Sequence, residues 1–415
     1  MSESFSMLGL SEPIQRALAA ENYTIPTPIQ AQTIPPILSG RDVLGIAQTG
    51  TGKTAAFGLP LLQRLAGERV ALGPQSVRAL ILAPARELAV QIHESLKTYG
   101  RNLKLRHAVV LGGVGQDRQV QALRQGVDVL VATPGRLLDL VQQKLIRLNN
   151  VSVLVIDEAD RMFDMGFIRD VRKIVGHLPR QRQSMLFSAT MPADVAHLVV
   201  EILHDPVRVE VSPAKVEADR IDQRVYFVEA NEKRALLQKL LDDREMTRVI
   251  VFTRTKHGAN KVADQLDRAG HATEAIHGNK SQNARQRALE SFRNGHARIL
   301  VATDIVARGI DVDDVSHVVN FELPDVAESY VHRIGRTARA GAGGIAIAFC
   351  APTERQSLRA IERLVNRKLT AMGGDSAAVP ENSAAAPEKA PRDYARPRNG
   401  NRRHTGRGPK ARQSR

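Results

Sequence analysis

"VLGIAQTGTGKTAAFGLPLLQRL", residues 43–65, joins a short apolar run, a glycine-containing turn and a segment of helical period. Strand, loop and helix in that order are the setting a phosphate-binding loop requires. Within "AQTGTGKT" (47–54), Gly50 and Gly52 let backbone amides close around phosphate oxygens, with Gln48, Thr49 and Thr51 completing the loop. Lys53 is placed to reach the outer phosphates, and the Thr54 hydroxyl to bind Mg²⁺. Glycine-rich turns without nucleotides are common, and Ala47 stands where the general pattern has its first glycine. The Gly-Lys-Thr ending between strand and helix outweighs the first objection; the second, taken alone, weakens the match to the general pattern.

Working outward, short apolar runs alternate with longer amphipathic segments, the pattern of parallel sheets covered on both faces. In the first half the strand candidates are 43–47, 79–84, 108–113, 128–134, 153–157 and 184–190. In the second they are "RVYFVE", "RVIVFTRT", "ARILVATD", "SHVVNFE" and "GIAIAFC". Between the halves, "VEVSPAKVEADR" (209–220) loses its apolar period and reads as an exposed linker. "VDVLVATPGRLLDL" from 127 and "ARILVATDIVARGIDV" from 297 echo each other, as two related domains would.

Ligands of open parallel sheets gather at the carboxyl ends of the strands. "VLVIDEAD" (153–160) places three carboxylates there, about a hundred residues after the phosphate loop. Asp157 is expected to hold Mg²⁺, partly through water, and Glu158 to orient and deprotonate an attacking water. An isolated acidic turn would be only a solvated surface feature; the phosphate loop supplies the cation and phosphates that give it a purpose.

The 415 residues carry a net charge of +15 and are 43% hydrophobic, which favours two cores and a polyanionic partner. Nine of the last 24 residues are Lys or Arg against one acid, Asp393. From about Met372 the chain lacks large apolar residues, so a disordered basic tail is expected. It is either a solubilising tail or an arm for phosphate contacts. "MSESFSMLGLSEP" does not read as a secretory signal, no apolar run is long enough for a membrane span, and a cytoplasmic location is expected. Cys350 is alone and reads as a small buried apolar residue.

From Phe5 to about Val365 the chain resembles the DEAD-box RNA helicases. Besides "AQTGTGKT" and "DEAD", the resemblance rests on "NYTIPTPIQ" (22–30), "PARELAVQ" (84–91), "GG" (112–113), "TPGR" (133–136) and "SAT" (188–190). It continues in "VIVFTRT" (249–255), "SQNAR" (281–285), "ATDIVARGID" (302–311) and "HRIGRTARAG" (332–341). "VFTRTKHGANKVADQL" followed by "AIHGNKSQ" is similar to the RhlE-type bacterial branch. Ala47 is normal for the family.

The resemblance implies two tandem RecA-like α/β domains, 1–211 and 220–371, a linker at 212–219 and a tail at 372–415. It implies ATP as substrate with Mg²⁺, Gln30 reading adenine and Tyr23 stacking on it, with Phe5 in support. Asp311 would bind the ribose, and Arg336 and Arg339 would reach the terminal phosphate across the domain cleft, where His332 also lies. Arg86, Gly113, Thr133, Gly135, Arg136, Thr303 and Arg308 would contact RNA. Asp160, Ser188 and Thr190 would couple phosphate state to closure. Ala85 and Ala338 depart from the family's usual Thr and Gly. The implied activity is ATP-driven, local, non-processive unwinding of RNA, in ribosome assembly or RNA decay. An ATP-gated RNA clamp and a related DNA helicase stand as alternatives.

Overall fold

The computed structural model describes residues 4–48, 50–68, 70–211, 221–304, 312, 314–337 and 343–372. The proposed linker 212–219, the tail beyond Met372, and Thr49, Arg308, Asp311, Ala338 and Arg339 lie outside the described residues. The first parallel sheet contains β1 (Val43–Ile46), β2 (Val77–Leu82), β3 (His107–Val110), β4 (Val127–Ala132), β5 (Val153–Ile156), β6 (Gln183–Ser188) and β7 (Val207–Glu210), in the order β3-β4-β2-β5-β6-β1-β7. The second contains β8 (Ile221–Phe227), β9 (Val249–Thr253), β10 (Thr273–Ile276), β11 (Ile299–Thr303), β12 (His317–Asn320), β13 (Gly344–Cys350) and β14 (Thr370–Ala371), in the order β10-β11-β9-β12-β13-β8-β14. Advancing each label of the first sheet by seven reproduces the second. The echo at 127 and 297 is therefore structural: it marks β4 and β11, which occupy the same place in the two sheets.

Helices cover both faces, which is why the central strands read as unbroken apolar runs. In β5, Val153 and Val155 enter one core while Leu154 and Ile156 enter the other. Three strands escape the sequence pattern: β7, β10 and β14. All three are edge strands, and their exposed or half-buried positions interrupt the apolar run. Val209 and Glu210, the first two residues of the stretch that loses its apolar period, belong to β7 and pair beside Gly45 and Ile46 of β1, upstream of the boundary expected at 212–219. β8 starts at Ile221, three residues before the expected strand. Cys350 ends β13 and is buried, as its isolation predicts.

Parallel strands deliver all their carboxyl ends to one edge. In the first sheet that edge has two halves, β3-β4-β2 and β5-β6-β1, and the candidate residues divide between them.

Candidate functional site

On the β5-β6-β1 half, the loop after β1 leads into the helix Lys53–Gly67. Gly50 and Gly52 have φ of +88° and +89°, a left-handed backbone that glycine adopts without Cβ strain. Lys53 is 6% exposed and its Nζ donates to the Ala47 carbonyl at 2.7 Å, closing the loop upon itself. Burial lowers the Lys53 pKa, opposed by the charges of Asp157, Glu158 and Asp160. Three carboxylates thus converge on one amine.

Gln30 braces this loop from the helix Pro28–Leu38. Its Oε1 accepts from the Thr27 amide at 2.9 Å and its Nε2 donates to the Gly52 carbonyl at 3.1 Å. Both ends of the amide are therefore engaged within the protein, although one N–H and one oxygen lone pair remain. Tyr23 is 40% exposed, with its ring 6.0 Å from Tyr99 and 6.4 Å from Phe5. Phe5 itself is buried.

Asp157 follows β5 and is 2% exposed. One carboxylate oxygen accepts from the Glu158 amide at 3.0 Å, and the other makes no hydrogen bond among the described residues. Burial pushes its pKa up to about 7 despite the nearby Lys53 charge. The Thr54 hydroxyl also lacks a hydrogen bond among the described residues. A buried carboxylate with an unbonded oxygen and a spare hydroxyl oxygen are the hard donors that suit Mg²⁺.

Glu158 has φ 54° and ψ 54°, a left-handed conformation rare outside glycine and frequent at functional sites. Its Oε2 accepts from Nη1 of Arg161 at 2.6 Å, with both side chains 5% exposed. Asp160 gathers the turn after β6: its Oδ2 accepts from the Thr190 hydroxyl and amide, each at 3.0 Å, and from the Ala189 amide at 3.2 Å. The Asp160 amide donates to the Ser188 hydroxyl at 3.2 Å. Burial raises the Asp160 pKa, but Arg161, His332, Lys53 and the Thr190 hydrogen bond outweigh it, so the carboxyl sits below its usual range. The His332 contribution brings a second-domain residue to this half of the edge.

His332 lies on the helix Ala327–Ile334, between β12 and β13, and its carbonyl accepts from Nε of Arg336 at 3.2 Å. Arg336 is 3% exposed. Arg333, three residues earlier, is instead a core residue. Asp304 holds its guanidinium through two bonds of 2.6 and 2.8 Å, and the charge lies 5.0 Å over the Phe252 ring.

On the β3-β4-β2 half, the Arg86 guanidinium lies against the turn after β3; a Cβ built on Gly113, φ +73°, would fall 2.3 Å from its Nη1. Thr133 occupies the position before the helix Pro134–Gln142 without a side-chain capping bond, Gly135 has open space before it, and Nη1 of Arg136 donates to the Val114 carbonyl at 3.2 Å. These residues are brought together. Thr303 ends β11, on the corresponding half of the second sheet.

Models of two families match: "DEAD/DEAH box helicase" over residues 27–198 and "Helicase conserved C-terminal domain" over residues 232–341. The chain is 43% identical to the DEAD-box ATP-dependent RNA helicase CshA of Bacillus subtilis, over 90% of this chain and 74% of that one. It belongs to the DEAD-box ATP-dependent RNA helicase family. RNA helicase CrhR of Synechocystis is 44% identical over 89% of this chain and 74% of its own. The structure of S. cerevisiae Dbp5 bound to RNA and ADP BeF3 superposes with a TM-score of 0.79 at 32% identity, covering 89% of this chain and 96% of that one.

In this DEAD-box chain the fold brings into play four residues to which the sequence reading assigns no role: Glu87, Gln282, Arg285 and Arg161. Glu87, beside Arg86, accepts from Arg285 at 2.6 Å and from Gln282 at 3.3 Å, both in the second domain. Arg285 and Gln282 lie in the quoted string "SQNAR", but no sequence signal names their partner. Arg161 is the fourth; its place one helical turn after Glu158 is the only sequence sign of that pair.

Proposed function

We propose that this DEAD-box protein hydrolyses ATP between its two parallel-sheet domains and uses their closure on single-stranded RNA to open short duplexes and remodel RNA or RNA–protein complexes. The observation that carries the reading is the burial of Lys53, Asp157, Glu158 and Asp160 together after β1 and β5, with Asp160 holding the turn after β6.

Lys53 and Arg336, with Arg339, offset charge on the terminal phosphate; arginines supplied this way contribute on the order of 10³- to 10⁵-fold in rate. Glu158 takes a proton from the attacking water as the water oxygen bonds to the γ-phosphorus. The bond from that phosphorus to its bridging oxygen breaks, leaving ADP and phosphate. Asp157 and Thr54 would hold Mg²⁺, which when bound neutralises phosphate oxygens. The spare N–H and lone pair of Gln30 match the donor and acceptor on the adenine edge, Tyr23 and Asp311 complete the nucleoside site, and Gln48, Thr49, Gly50, Thr51 and Gly52 surround the phosphates.

Arg86, Gly113, Thr133, Gly135, Arg136, Thr303 and Arg308 form the RNA side. Contacts of this type are mostly to phosphate and ribose and carry little base information. Asp160, Ser188 and Thr190 connect the phosphate side to closure through His332. ATP and RNA each favour the joined arrangement and so tighten each other's binding. Domains at 1–211 and 220–371, a basic RNA-binding tail from 372, a cytoplasmic location, an RhlE-type lineage and a role in ribosome assembly or RNA decay complete the proposal. Among the described residues, no helix is long and apolar enough to cross a membrane.

Steady-state ATP hydrolysis at one salt concentration, without polymer, with single-stranded RNA and with DNA of the same sequence, tests the reading. Stimulation by RNA alone is expected; equal stimulation by DNA, or none, overturns it. A duplex-displacement assay then separates unwinding from clamping.

A further inference from the structure

We propose that Arg161 is a positioning residue for ATP hydrolysis, holding one oxygen of the Glu158 carboxylate so that the other is presented to the attacking water. This inference rests on the reading of Glu158 as general base.

The geometry begins at the end of β5, where the chain turns through the left-handed conformation of Glu158 and starts the helix Ala159–Asp164. A residue three positions on shares a helix face with its starting point. Arg161 occupies that position, and its Nη1 donates to Glu158 Oε2 at 2.6 Å, the short distance expected of a charge-assisted hydrogen bond. Oε1 makes no hydrogen bond among the described residues. The pair thus spends one carboxylate oxygen on orientation and keeps the second for a proton.

Arg161 is itself buried and tied to its neighbour. Its side chain is 5% exposed, and its backbone amide donates to Asp160 Oδ1 at 3.0 Å. Asp160 holds the turn after β6 through Thr190. The base is therefore tied, through two neighbouring residues, to the same turn that faces the second domain. A glutamate side chain has three rotatable bonds, and a base must lie within hydrogen-bond reach of the proton it removes. A planar, buried guanidinium restricts those rotations, which a flexible ammonium does less well.

An ion pair that merely balanced a buried charge would have the same distance, so the test must separate orientation from packing. Arg161→Met and Arg161→Lys are compared with the parent chain and with Glu158→Gln, using RNA-stimulated kcat, the KM for ATP and the affinity for a non-hydrolysable ATP analogue. If Arg161 orients the base, Arg161→Met lowers kcat on the order of 10- to 100-fold, as displacement of a catalytic group does, with analogue affinity within about twofold of the parent. Arg161→Lys recovers part of that loss. In the Glu158→Gln background, adding Arg161→Met changes residual turnover by less than about twofold, because the group it orients has lost its proton-accepting role.

Unchanged kcat in a folded Arg161→Met chain overturns the proposal. So does an equal loss in both backgrounds, or a loss confined to ATP affinity. If Arg161→Met does not fold, Arg161→Lys decides: reduced kcat at unchanged analogue affinity supports the role, and full turnover rejects it. Normal turnover in Glu158→Gln alone is a different failure, since it removes the base assignment on which the inference stands.

Discussion

Glu87 of the first domain accepts a hydrogen bond at 2.6 Å from Nη2 of Arg285 in the second, with side-chain exposures of only 2% and 7%. Glu87 follows Arg86, whose guanidinium packs on the Gly113 turn. A candidate RNA-binding side chain and a bond between domains therefore occupy consecutive residues at the start of one helix, Arg86–Tyr99. On the other half of the sheet edge, Asp160 and His332 interact across the same division. The two halves thus have separate links to one joined arrangement, which is how two ligands bound apart can bias a shared equilibrium.

Arg285→Met strands a buried carboxylate whenever the domains join, and breaking a buried pair costs on the order of 3–5 kcal/mol. The domains can escape that cost by opening, so the expected result is a loss of RNA-stimulated turnover of about tenfold or more rather than unfolding. Adding Glu87→Leu should restore a large part of the loss, since an apolar pair carries no stranded charge. Assays of the two single variants and the double variant check this; independent, additive losses would contradict it.

Gly52→Ala is expected to weaken ATP binding at least tenfold. The added Cβ would lie 2.3 Å from Nε2 of Gln30, at a φ of +89°. Left-handed backbone costs a non-glycine residue about 1–2 kcal/mol before any displacement of Gln30 is counted. Titration with a fluorescent ATP analogue reads the change.

Acid should destabilise the first domain through His107. Burial, reinforced by the charge of His93, depresses its pKa to about 4, and the two rings pack edge to face at 6.2 Å. The unfolded chain then takes up its proton near the ordinary histidine value of about 6.5, before the folded chain does. Stability contributed by the neutral ring is present above that value and lost as pH falls towards 4, on the order of 2 kcal/mol for this group. Denaturant unfolding at pH 7 and pH 4.5 should show a smaller difference in His107→Gln than in the parent chain.

Removal of residues 373–415 should weaken RNA binding and flatten its dependence on salt, since the last 24 residues carry nine cationic side chains. For every RNA phosphate that the tail neutralises, its removal should make the slope of log affinity against log salt shallower by about 0.7 on single strands. RNA-binding titrations at several salt concentrations measure it, and an unchanged slope would assign the tail no role in holding RNA.

The linear chain determined much of this protein. Gly50, Gly52, Lys53, Thr54, Asp157 and Glu158 were legible because a phosphate loop and a carboxylate pair must follow strands, and buried strands are unbroken apolar runs. Residues near each other in sequence, or repeated at a fixed spacing, leave that kind of trace. The edge strands β7, β10 and β14 left a weaker one, because half-exposed strands need not be apolar throughout. Only the tertiary structure decided which charges meet. Arg333 and Arg336 have similar sequence surroundings, yet Asp304 and Phe252 hold the first inside its domain. Gln30 meets Gly52 because its helix packs on the loop, and Glu87 meets Arg285 across nearly two hundred residues. An ion pair is specified by distance and burial in three dimensions, and neither quantity is written in the spacing of residues along a chain.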